Sequence, residues 1–164
     1  MTCQPPPFVR SAGFTLIELL VVMAVLGILA AAILPLSETL VRSRQERALR
    51  HNLWEIRTAI DAYKRMADEG VVSKGRAGNG YPDSLQALVE GVPDIRDDHK
   101  GVKHYFLRRI PKDPFADSSV PAPESWRLRS YASSASQPAP GQDVYDIRSS
   151  SDALAIDGTT YAQW

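Results

Sequence analysis

One segment limits this sequence more than any other: FTLIELLVVMAVLGILAAAILPL, residues 14–36, runs for 23 residues with a single ionisable side chain, Glu18. As a helix it extends roughly 34 Å, enough to cross a bilayer core of about 30 Å. It is too long for an ordinary secretory signal core, and no A-x-A cleavage pattern follows it. A helix buried in a globular core is the other reading of such a run, but those helices rarely stay apolar over this length. A membrane-spanning segment is therefore expected over 14–36. The preceding stretch, 1–13, is polar, rich in proline, and carries only one charge, Arg10.

The helical pattern continues beyond the apolar run. Leu49, Leu53, Ile56, Ile60, Tyr63 and Ala67 recur at spacings of four and three, which lays one apolar stripe along one helix face. Charged and polar residues fill the other face, with Glu46 and Arg50 at i,i+4 spacing. Gly70 is a natural stop. One helix over 14–69 is expected, apolar all round at first and amphipathic over 37–69. Pro35 should bend it or loosen its hydrogen bonding.

After Gly70 the texture changes. Glycines mark 71–80 as a loop, and 82–89 suits a short helix that starts at Pro82 and Asp83. Residues 90–101 are charged and irregular, and 103–115 lead into a loop broken by Pro111 and Pro114. Three short runs, 126–131, 144–149 and 153–156, read as strands separated by Ser, Pro and Gly clusters. The expected fold class is α+β: a long N-terminal helix, packed through its stripe against a small C-terminal antiparallel sheet in a globular region over 70–164.

Composition removes several functions. Lys+Arg and Asp+Glu are both 19, so no basic excess points to a nucleic-acid partner. The one cysteine is Cys3, so an intramolecular disulfide is impossible. His51, His99 and His104 lack metal-ligand spacing. There is no G-x-S-x-G elbow, and GRAGNG at 75–80 has no strand-to-helix context for holding phosphate. The chain is expected not to be an enzyme; a membrane-anchored hydrolase would need a catalytic constellation that these residues do not supply.

The residues that carry function straddle the start of the apolar run: Gly13, Phe14, Thr15, Leu16, Ile17 and Glu18. Glycine before a cut lets extended backbone enter a protease cleft without a side-chain clash. A carboxylate at bilayer depth costs about 2.5–3.5 kcal/mol on insertion scales, less near the interface, so Glu18 needs a role. It either pairs with a cation or snorkels to the headgroups. The string GFTLIELLVV resembles the signature of type IV pilins and of their relatives, the pseudopilins of type II secretion systems. The resemblance implies that a membrane-embedded prepilin peptidase cuts between Gly13 and Phe14 and methylates the new amine of Phe14, so that 1–13 is a cleaved leader. It also implies assembly through the N-terminal helix, with Glu18 pairing with the Phe14 amine of a neighbouring subunit.

Within that superfamily, 81–91, 105–115, 125–131 and 144–164 are similar to the major, G-type pseudopilin of type II secretion. That branch implies a homopolymer, with other pseudopilins and the inner-membrane secretion platform as further partners and lipid around the anchor. It implies a periplasmic filament that moves exported proteins while other components spend ATP. A minor pilin or DNA-uptake pseudopilin of a type IV pilus system is the alternative. The branch further implies calcium in the C-terminal loop, where Asp152 and Asp157 offer carboxylates and the backbone near Ser150 or Leu154 offers carbonyls. The family's glycine-rich loop with adjacent acids is shortened here, and two aspartates beside a turn also describe Asx-turns.

Counting charges alone would turn the chain round. Arg42, Arg44, Arg47 and Arg50 follow the apolar run, and only Arg10 precedes it. The leader motif overrides the count, which puts the N-terminus in the cytoplasm and the C-terminal region in the periplasm. Those arginines either form a solvated face or meet Glu38 or Glu46 of neighbours in a filament.

Overall fold

The structure, a computed structural model, describes residues 13–164, apart from the side chains of 32–38. Residues 1–12 of the leader expected over 1–13, with Cys3 and Arg10, lie outside the described residues, as do the side chains of Pro35 and Glu38. The chain divides into two compact units, Met1–Val41 and Arg42–Trp164.

The first element is helix α1, Leu16–Asp68, of 53 residues. In the first unit every described side chain from 13 to 31 is exposed, including Leu16, Ile17, Leu20, Val21, Leu26 and Leu29. Among the described residues, no helix is long and apolar enough to cross a membrane.

In the second unit, the α1 stripe becomes one side of the core. Leu49, Leu53, Ile56, Ile60, Tyr63 and Ala67 are all buried, as their spacing requires. The helix stops where the sequence says it should. Gly70 takes a positive φ of 72°, and the amides of Gly70 and Val71 return to the carbonyls of Ala67 and Met66. Val71 and Val72 then turn inward, and the Tyr63 hydroxyl donates to the Ser73 carbonyl.

Opposite the stripe lie short elements joined by turns. Helix α2, Ala87–Glu90, buries Leu88 and ends at Gly91. Strands β1, Val92–Pro93, and β2, Lys103–His104, pair antiparallel around a 3₁₀ turn at Asp97–His99. Strands β3, Trp126–Arg129, and β4, Asp146–Ser149, form a second antiparallel pair, in which Trp126 faces Ser149 and Leu128 faces Ile147. A last 3₁₀ turn, Tyr161–Gln163, puts the Tyr161 ring into the core, stacked 4.0 Å from Phe115.

The α+β class holds, but the sheet differs from the expected three-stranded meander. The run 153–156 contributes only an isolated bridge, Leu154 to Thr160, because its amides serve turns and side chains instead of a ladder. The β1–β2 pair arises in a charged stretch with no alternating pattern to announce it. The short helix is also shorter than expected, at Ala87–Glu90 instead of 82–89.

Candidate functional site

At the N-terminus, Gly13, Phe14 and Thr15 precede α1 and Phe14 is 83 % exposed. A Cβ built on Gly13 would meet nothing within 4 Å, and its φ is not positive. Among the described residues, therefore, nothing in the fold requires glycine there.

Glu18 sits in the first turn of α1 and is exposed. Its Oε2 accepts from the Thr15 amide at 3.4 Å, and the Glu18 amide donates to Thr15 Oγ1 at 3.3 Å. These two bonds form a capping box: Thr15 is the cap, and Glu18 three residues on closes it. The carboxylate also favours the positive end of the helix dipole. The T-x-x-E spacing was the signal in the sequence for this second role.

At the other end of the chain, the two C-terminal aspartates are not brought together. Asp152 takes both prongs of the Arg127 guanidinium, at 2.7 and 2.8 Å. Those bonds hold its carboxyl below the usual range. Asp157 bends back on Thr159, accepting from its hydroxyl at 2.6 Å and its amide at 3.0 Å, which is Asx-turn geometry. These bonds likewise hold its carboxyl below the usual range, and Arg50 stands 3.6 Å from its other oxygen. The Leu154 carbonyl accepts from Arg42. Among the described residues, no three His, Cys, Asp or Glu side chains are grouped to hold a metal. Calcium asks for six to eight oxygens around one point. The residues present do not fit the ion.

Several residues organise this region in roles that the sequence reading did not give them. Glu46 is 7 % exposed, and its Oε1 accepts from the Ile156 amide at 2.8 Å and the Tyr161 hydroxyl at 2.9 Å. Glu46 therefore anchors its own chain's C-terminal segment, where an i,i+4 partner for Arg50 or an acid offered to a neighbour had been expected. Arg42 Nε also donates to the Tyr161 hydroxyl, at 3.2 Å. Extending the stripe one turn back from Leu49 lands on Glu46 and then Arg42, so periodicity held the clue.

Asp113, between two prolines, is 1 % exposed. It accepts from the Phe115 amide, the Ser149 hydroxyl and the Ser150 amide, tying the proline loop to the end of β4. Asp94 is buried against the Arg96 guanidinium, with His104 Nε2 at 3.0 Å. The hydrogen bonds from Arg96, more than any other influence, hold its carboxyl far below the usual range.

Comparison with known proteins converges on both ends of this description. The Prokaryotic N-terminal methylation motif matches residues 9–34. The type II secretion system core protein G of Aeromonas hydrophila is 30% identical over 115 residues, covering 66% of this chain and 70% of that protein. The protein of the same name in Pseudomonas aeruginosa is 31% identical over 112 residues, covering 66% and 70%. That in Vibrio cholerae is 32% identical over 111 residues, covering 66% and 68%. No solved structure matches. With 30–32% identity over two thirds of this chain and of those relatives, and the methylation motif in register with the start of its long helix, the chain belongs to the type II secretion system core protein G family, the major pseudopilins.

Proposed function

We propose that this major pseudopilin is held in the inner membrane by a single pass over 14–36, is cut between Gly13 and Phe14 and methylated on Phe14 by prepilin peptidase, and polymerises through α1 into a periplasmic filament. Its N-terminus is then cytoplasmic and 70–164 is periplasmic. Its action is mechanical, and it carries no catalytic step of its own. Other pseudopilins and the inner-membrane secretion platform are its working partners.

The observation that carries this reading is the uncovered first half of α1. Large apolar side chains from Leu16 to Leu29 stand exposed on every side of the helix, and Glu18 is the one acid in that stretch. A soluble monomer rarely leaves so much contiguous apolar surface in water, so this surface belongs against lipid or sister helices. The exposure of Gly13 and Phe14 supports cleavage there, because among the described residues nothing packs against that bond. Cutting there frees an amine at Phe14, and Glu18 of a neighbouring subunit is its counter-charge, which sets the axial stagger between subunits.

The test is Glu18→Ala in the native host. Insertion and leader removal, read by membrane fractionation and intact mass, are expected to be unchanged, while filaments in the periplasm, read by cross-linking of neighbouring subunits, fall at least tenfold. Filaments at the normal level from that variant would refute pairing at Glu18.

A further inference from the structure

Three guanidinium groups occupy the places that a cation would need in the C-terminal segment. Arg127 takes both oxygens of Asp152, Arg50 faces the Oδ2 of Asp157, and Arg42 takes the Leu154 carbonyl. Two of these arginines come from α1 and one from β3, so the segment is tied to both faces around it. Arg57 adds a fourth tie from α1, donating to the Ile147 carbonyl at 2.9 Å and to the main-chain oxygen of Trp164 at 2.6 Å. Arg50 also stacks 4.2 Å from the centre of the Trp164 ring.

We propose that an arginine clamp does in this chain what a divalent cation would do in a loop of acids, and that residues 150–164 order themselves without calcium. A guanidinium brings a full charge and a planar fork that fits a carboxylate with two parallel bonds. It is covalently attached, so it is present at any ion concentration. A calcium ion entering here would have to displace Arg127 from Asp152 and would sit among fixed positive charges, which repel it. Its six to eight oxygens are also missing, since the Asp157 oxygens serve Thr159 and Arg50 and the Leu154 carbonyl serves Arg42.

The experiment uses the full chain in detergent micelles after dialysis against EGTA. Calorimetric titration with calcium chloride is expected to give no saturable heat. Melting temperatures in EGTA and in calcium chloride, matched in ionic strength, are expected to coincide. Arg127→Gln should lower the melting temperature by a few degrees in both solutions, and Arg127→Lys, which keeps the charge but loses the fork, should fall between. Saturable binding of one calcium per chain, with a rise in melting temperature, overturns the proposal; so does Arg127→Gln melting like the wild type. If Arg127→Gln does not fold, the wild-type titration still decides whether an ion is used. Neither result bears on assembly through α1, which the Glu18 variant reads separately.

Discussion

At the scale of single residues, acids in this chain act by where their oxygens point, and sequence position alone is a poor guide to that. Glu46 stands among Arg44, Arg47 and Arg50 in the sequence, where it reads as a surface partner for Arg50 or for a neighbouring subunit. The fold buries it, and gives it an amide and a hydroxyl to hold. Glu46→Ala leaves the Ile156 amide and the Tyr161 hydroxyl without that acceptor. A loss on the order of 3 kcal/mol is expected in denaturant unfolding of the full chain in detergent, and Glu46→Gln, which keeps an acceptor, should lose less. Asp113 shows the same gap between sequence and role. Its flanking prolines announce a turn, but nothing in IPKDPF shows that Ser149 and Ser150, more than thirty residues on, will be its partners. Such contacts depend on the tertiary path, which local pattern does not encode. Glu18 was conspicuous for the opposite reason: an acid stands out in a run that is otherwise apolar.

At the scale of elements, period decides what can be read. The stripe from Leu49 to Ala67 repeats often enough that its burial, its helix and its stop at Gly70 follow from spacing alone. The strands are two to four residues long, and at that length alternation carries little information. Of the three expected runs, two pair as β3 and β4, and the third is drawn into turns by Asp157 and by the Glu46 carboxylate. Gly91 makes the short elements possible. It ends α2 with a φ of 84°, and a Cβ there would come within 2.6 Å of the Tyr105 ring. Gly91→Ala should therefore cost about 1–3 kcal/mol from backbone strain, with the ring displaced as well. The melting temperature should fall by roughly 2–4 °C per kcal/mol for a chain of this size, and an unchanged melting curve would show that the turn is not under that constraint.

At the scale of the whole molecule, the two units do different jobs. The globular unit, Arg42–Trp164, satisfies most of its own buried groups, the Nε atoms of Arg129 and Arg148 excepted: its core is closed by Tyr161, Phe115 and Trp126, and its buried acids are matched by amides, hydroxyls and arginines. The described part of the first unit satisfies almost nothing internally beyond its backbone and the Thr15–Glu18 cap, and leaves its apolar side chains open. A chain built this way leaves a long apolar surface uncovered, which is the physical ground for the assembly proposed above. Glu18 concentrates that claim, because a local cap and a charge partner for a neighbour make different demands on one side chain. Glutamine closes a capping box as well as glutamate but carries no charge. The decisive measurement is the number of filaments seen by electron microscopy in cells producing Glu18→Gln. Charge pairing between subunits predicts processed, membrane-inserted protein with filaments reduced at least tenfold; filaments at the wild-type level would show that Glu18 only caps its own helix.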